Sequence, residues 1–248
     1  MTKTAKYLYG IIPLGEKTCF DMDGIDNNSE VYTITHKDIS AVVSDVEAKI
    51  FDPTRENVLA HNMIISTIME KFSIIPAKFG TVFTSSTDVE IFLEKIYSTS
   101  LNILDEINNK VEFGLKVFWT EESFAELIDT KDVRELHNKT KTAQHKDNSY
   151  LKMELGMLVK DIADDKRAYY LKEIHEKIAK ISFKNKLNEN IGAKMVFNAA
   201  YLVKKQKVDE FQETVGKLID QHKDTLEVKF TGPWPPYNFT AMKIKIKR

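Results

Sequence analysis

Near the end of the chain, Lys229-Phe230-Thr231-Gly232-Pro233-Trp234-Pro235-Pro236-Tyr237-Asn238-Phe239 combines three of the six prolines with four aromatic residues. Proline fixes φ, donates no backbone hydrogen bond and pushes the preceding residue to extended geometry. Such a segment neither continues a helix nor sits inside a sheet. The expectation is a stiff, extended strap leaving a strand, with Trp234, Tyr237 and Phe239 pressed onto the body of the protein. A Pro-rich, aromatic strand exit also suits a docking partner, as polyproline segments do. Trp234, Pro235, Pro236, Tyr237 and Phe239 are therefore candidate partner-contact residues.

The first half of the chain supplies a body for such a strap. Residues 5–12 read as a strand that is apolar on both faces and so central in a sheet. Residues 19–30 nearly match a calcium loop, with Asp21, Asp23, Gly24 and Glu30 in place. Cys19 in the first position is a poor ligand for a hard cation, and the flanks read as strands, so a plain acidic turn is preferred. Residues 30–35 and 39–46 read as paired strands joined at His36-Lys37-Asp38. Asp52-Pro53 announces a helix with Asp52 as N-cap. Val58, His61, Ile65, Ile68 and Phe72 form its apolar stripe. A lone histidine there reads as a hydrogen-bonded core or interface residue; a general base needs partners beyond it.

Residues 73–83 contain Pro76, which makes them an edge strand or an irregular crossing. Phe79-Gly80-Thr81 allows close backbone approach, and Lys78 is placed to pair with an anion or a partner's acid. Lys78 and Phe79 join the contact candidates. Thr87-x-x-Glu90 reads as a capping box opening a helix. Residues 111–119 then alternate, with Val111, Phe113, Leu115, Val117 and Trp119 on one face and Glu112, Gly114 and Lys116 on the other.

In the second half, Thr120 caps a short helix, residues 131–147 read as a marginal helix or exposed connector, and residues 150–181 form the longest helical stretch. Asp164-Asp165-Lys166-Arg167 is expected to mark a bend or surface crossing. Strands at 183–187 and 193–204, a helix at 208–222 and a strand at 225–231 complete a split βαβ order. The fold class is α+β with two domains. Residues 1–110 form an N-terminal α+β unit; residues 111–248 form a modified ferredoxin-like unit with extra helices and the C-terminal strap. After it, Met242, Ile244 and Ile246 alternate with Lys243, Lys245 and Lys247, a pattern that suits an exposed edge strand, a strand added to a partner's sheet, or a disordered end.

Composition narrows the chemistry. A formal net charge of −1 over 248 residues is not the basic surplus of a nucleic-acid binder. The lone Cys19 allows no internal disulfide framework and fits a reducing compartment. No apolar run reaches the roughly 20 residues that span a bilayer, and the first residues lack a secretory pattern. A cytoplasmic location is expected. There is no nucleophile elbow, P-loop, dinucleotide fingerprint or metal-ligand cluster, so no catalytic, cofactor-binding or metal residue is assigned.

Four blocks carry a family resemblance. Phe230-Thr231-Gly232-Pro233-Trp234-Pro235-Pro236-Tyr237-Asn238-Phe239 resembles the terminal signature of the gas vesicle protein F/L family. Tyr7-Leu8-Tyr9-Gly10-Ile11, Ile74-Ile75-Pro76-Ala77-Lys78-Phe79-Gly80-Thr81-Val82-Phe83 and Glu112-Phe113-Gly114-Leu115-Lys116-Val117-Phe118-Trp119 resemble three further blocks, in the family's order. Lys78 stands where the family more often has arginine, which weakens any expectation of a bidentate contact. The resemblance implies a non-enzymatic accessory or minor structural protein of gas vesicles. Its implied partners are the main shell protein and other accessory proteins during assembly. The alternative from residues alone is a small-molecule enzyme or sensor on the ferredoxin-like unit; His61 and Lys78, in the N-terminal unit, are the nearest thing to a reactive pair in the chain.

Overall fold

The computed structural model describes residues 4–26, 29–142 and 145–242. The expected alternating tail at 243–248 and part of the acidic turn at 27–28 lie outside them. The contacts divide the chain into two compact units, Met1–Glu112 with Pro233–Arg248, and Phe113–Gly232. The last residues thus count with the first unit, which linear order alone does not suggest.

In the first unit, strands β1 (Thr4–Ile12), β2 (Cys19–Asp23), β3 (Glu30–His36) and β4 (Ile39–Glu47) are followed by helix α1 (Arg55–Lys71). The short strands β5 (Ile75–Pro76) and β6 (Val82–Phe83) and helix α2 (Ser86–Ile107) come next. The sheet runs β2-β3-β4-β1-β5, and β6 also pairs with β1. β1 is central, as its two-sided apolar sequence requires, and almost every residue along it is buried. Tyr7, Tyr9, Val42 and Val46 pack with Ile64, Ile65 and Ile68 of α1 in one core cluster. Gly10 lies where a Cβ would stand 2.7 Å from the Ile75 carbonyl oxygen, so a glycine lets β5 close onto β1.

Two helix starts differ from the sequence expectation. α1 is capped by Thr54, whose hydroxyl accepts from the Asn57 amide, and not by Asp52. α2 is capped by Ser85, and Asp88 completes the box; Thr87 and Glu90 lie inside the helix. In both cases a hydroxyl closer to the first turn satisfies an orphan amide, and the earlier acid or the later threonine has none to serve.

The second unit contains the strands β7 (Lys110–Trp119), β8 (Lys184–Asn188), β9 (Met195–Lys204) and β10 (Leu226–Trp234), whose outer ends cross the division. Their order is β10-β7-β9-β8. Helices α3 (Glu121–Ile128), α4 (Lys131–Thr142), α5 (His145–Tyr170) and α6 (Glu176–Ile181) lie between β7 and β8 in sequence, and α7 (Val208–Asp220) between β9 and β10. The polar stretch read as a marginal helix or connector is helical over Lys131–Thr142.

Asp164–Arg167 is not a bend. It is continuous helix, and a π-helical turn follows at Leu171–His175. Arg167 is buried, at 7% exposure. Its Nε donates to the Met195 carbonyl at 2.8 Å and a terminal nitrogen to the Ala193 carbonyl at 2.7 Å. It also pairs with Asp164 and stands 5.5 Å over the Trp119 ring. An arginine fork can serve several acceptors at once, which makes a buried guanidinium tolerable here.

Candidate protein-contact site

The Pro-aromatic segment is extended only as far as Trp234. Beyond it the backbone turns: Tyr237 N–H donates to the Pro235 carbonyl at 2.8 Å and Phe239 N–H to the Pro236 carbonyl at 3.0 Å. The Thr240 hydroxyl adds a 3.0 Å bond to Pro236 O. The reason is a buried acid that the alternation of β7 assigned to the polar face. Glu112 is 5% exposed. Its carboxylate accepts from Asn238 N–H at 2.8 Å and from Asn238 Nδ2 at 2.6 Å. Two charge-assisted bonds to one residue hold the turn closed against the first unit.

Pro235 and Pro236 are buried, Phe239 is half-buried, and Trp234 and Tyr237 are exposed at 46% and 38%. The two prolines thus fill the turn's inner side and leave the two large aromatics toward solvent. Tyr237 hydroxyl reaches Asn62 Oδ1 on α1 at 3.4 Å. Burial of its hydroxyl end, and secondarily the Glu112 charge, push its pKa up to about 12.

The loop between β5 and β6 is fixed from below. Gly80 has φ 78°, a left-handed conformation that favours glycine. Ala77 N–H donates to the Tyr9 carbonyl and Leu8 N–H to the Thr81 carbonyl, at 2.8 and 2.9 Å. Gly80 N–H donates to the Tyr7 hydroxyl at 3.0 Å. That hydroxyl lies 3.0 Å from His61 Nδ1, and His61 Nε2 lies 3.3 Å from the Ala77 carbonyl. A carbonyl only accepts, so the network assigns the ring proton to Nε2 and makes Nδ1 the acceptor of the Tyr7 proton. Phe79 packs edge-on against His61, with ring centroids 5.7 Å apart, while Lys78 is exposed. His61 and Lys78 therefore do not form a reactive pair: both ring nitrogens of His61 are engaged in holding the loop.

Burial lowers the His61 pKa from 6.5 to about 4, against a smaller opposing effect of the Ala77 carbonyl. The unfolded chain takes up this proton near pH 6.5 and the folded one only near pH 4. The contribution of the neutral ring is complete above pH 6.5, declines as pH falls through that window, and is lost below about 4. Stability should fall by about 2 kcal/mol between pH 7.5 and 5. Urea titrations of the native chain against His61→Gln measure this as a difference in pH slope, with the variant the flatter of the two.

Above the loop lies an apolar cavity of about 320 Å³. Leu8, Ile11, Ile75 and Phe92 form its apolar walls, Tyr237 and Met242 also line it, and Lys78 is the one charged residue in its lining. Of the residues singled out in the sequence, Lys78 and Tyr237 meet here; Trp234 and Phe79 lie outside the lining. Glu112, Tyr7, Asn62 and Met242 were not singled out as site residues. An acid within an apolar strand was the available signal for Glu112, but its partner, Asn238, is 126 residues away. Among the described residues no group of three or more His, Cys, Asp or Glu is placed to hold a metal. No helix among them is long and apolar enough to cross a membrane.

Comparison with known proteins agrees with the motif resemblance. A family model described as gas vesicle synthesis protein GvpL/GvpF matches residues 5–241. Gas vesicle protein F2 of Halobacterium salinarum is 26% identical over 247 residues, spanning 98% of this chain and 95% of that one. Gas vesicle protein L of Haloferax mediterranei is 26% identical, spanning 87% of this chain and 72% of that one. The α+β fold is similar to the crystal structure of GvpF from Anabaena sp. PCC7120, with a TM-score of 0.77 at 17% identity, covering 97% of this chain and 99% of that one. It is also similar to GvpF from Microcystis aeruginosa, with a TM-score of 0.75 at 19% identity over 96% of this chain and 99% of that one. With a family match across nearly its whole length, the chain belongs to the gas vesicle GvpL/GvpF family.

Proposed function

We propose that this protein is a non-enzymatic accessory or minor structural component of gas vesicle assembly, cytoplasmic and vesicle-associated. It binds the main shell protein and other accessory proteins through non-covalent contacts. The surface assigned to this work comprises Trp234 and Tyr237 on the C-terminal turn and Lys78 on the adjoining loop. Pro235, Pro236, Phe239 and Phe79 shape it from beneath. In the same reading the second unit is a modified ferredoxin-like domain, supported by its strand order β10-β7-β9-β8 with α7 before β10. The first unit is the N-terminal α+β domain, to which the end of the chain returns.

One observation carries the proposal. Residues from each of the four blocks that resemble the family meet at the C-terminal turn: Leu8 to Ile11 and Ile75 to Thr81 at the cavity, Glu112 as the clamp, and Pro235 to Asn238 as the turn itself. A site to which every shared block contributes is where a shared task is expected, and exposed aromatics are the usual anchors of protein contacts.

Co-expression with the shell protein tests it. Trp234→Ser combined with Tyr237→Ser should reduce the shell protein recovered with this chain about tenfold, while circular dichroism shows the fold retained. Full recovery with the folded double variant would remove the contact assignment. Normal vesicles in cells lacking the protein would remove the assembly role.

A further inference from the structure

The cavity beside Lys78 has a size and polarity that specify part of what it receives. Its volume, about 320 Å³, lies at the lower limit of small-molecule pockets. It is lined by Leu8, Ile11, Ile75 and Phe92 and bordered by Met242, a side chain that adapts to irregular shapes. The apolar surface also continues outside it. Tyr237 is both a cavity wall and the hydrogen-bond neighbour of Asn62. On α1, Leu59 lies one turn before Asn62 and Met63 one turn beyond Leu59, and the two are 55% and 66% exposed. An occupant that covers this face as well as the cavity is larger than a cofactor; it is a polypeptide with one anchor side chain.

Charge gives the occupant an orientation. Lys78 is the single charged group in the lining and is exposed. Around Tyr237, burial and then the Glu112 charge disfavour a further anion, as the raised tyrosine pKa reflects. An acidic group is favoured beside Lys78 and disfavoured beside Tyr237. The chain's own last residues, with Lys243, Lys245, Lys247 and Arg248, carry the wrong sign for Lys78.

We propose that the cavity seats one large apolar side chain of a partner segment whose adjacent residue is a carboxylate paired with Lys78. This rests on the proposed protein-contact function and adds to it the chemistry of the partner's segment. Lys78 selects the acid, the cavity selects the apolar neighbour, and Leu59, Met63 and Tyr237 cover the flanking residues.

The test uses the full chain and three short synthetic peptides that differ at one position, with leucine followed by glutamate, glutamine or lysine. Methyl NMR spectra report occupancy through Leu8, Ile11, Ile75 and Met242. The glutamate peptide should shift these signals and bind about threefold more tightly than the glutamine peptide, the worth of one solvent-exposed charge pair. Lys78→Glu should reverse the order so that the lysine peptide binds best. Ala241→Trp, at an exposed position in the lining, should fill the space and abolish all three shifts. Equal shifts for the three peptides, or none, would overturn the proposal. So would concentration-dependent dimers lost in Lys78→Glu without peptide discrimination, which would assign the cavity to a second copy. Shell-protein recovery separates the two levels. Loss with the Trp234/Tyr237 double variant, but not with Lys78→Glu or Ala241→Trp, sinks this inference and leaves the contact function standing. Retention in all variants sinks both.

Discussion

Replacing Glu112 with alanine should lower the stability of the first unit by about 3 kcal/mol, the scale of two hydrogen bonds to a buried charge. The carboxylate accepts from Asn238 N–H and Nδ2 at 2.8 and 2.6 Å, and it is 5% exposed. Its removal leaves both donors without that acceptor and frees the turn that buries Pro235 and Pro236. Glu112→Gln retains one acceptor oxygen but presents an NH2 to the second donor, so it should lose roughly half as much. Two measurements check this. Denaturant unfolding should order the three proteins as native, Gln, Ala, and limited proteolysis should cut near residue 235 fastest in the alanine variant. Equal stability of native and alanine proteins would show that the clamp does not hold the turn.

Arg167→Ala should cost the second unit about 3 kcal/mol, the scale of two hydrogen bonds from a buried charged group. Three losses coincide. The Met195 and Ala193 carbonyls lose donors at 2.8 and 2.7 Å, Asp164 loses one of its two cationic partners and keeps Lys160, and the Trp119 ring loses the guanidinium 5.5 Å above it. Arg167→Lys should recover only part of this, because an ammonium on one stem does not reproduce the fork that reaches two carbonyls. Trp119 supplies the readout. In a Trp234→Phe background its emission should shift and its unfolding midpoint fall, further for alanine than for lysine. A midpoint unchanged by alanine would mean that these carbonyls find other donors at no cost.

Local pattern was enough to read most of the elements. β1 and β7 announce themselves by apolar runs and alternation, α7 by the spacing of Phe211, Val215 and Leu218, and the β3–β4 turn by its polar residues. Pro76 correctly signals an edge, because a residue without an N–H is tolerated in β5 only where the ladder is short. Two helix caps were misplaced by two residues each, since several hydroxyls and acids near each start compete for the same orphan amides. The surface reading of the Asp164–Arg167 run holds for Asp164, Asp165 and Lys166, which are exposed; Arg167 alone is buried, because carbonyls from residues 193 and 195 make its burial favourable.

What the sequence determined by itself is therefore the α+β class, the strands and helices, and the family, all of which depend on neighbouring residues or on motifs read in order. The tertiary structure alone decided that the Pro-aromatic segment turns at Trp234, that Glu112 is its clamp, that His61 supports a loop, and that Lys78 and Tyr237 share an apolar cavity. Each of those depends on a donor meeting an acceptor, or a wall meeting a wall, across tens to more than a hundred residues. A side chain's propensity is local, but whether its hydrogen bonds are satisfied and its surface buried is settled only where distant segments meet.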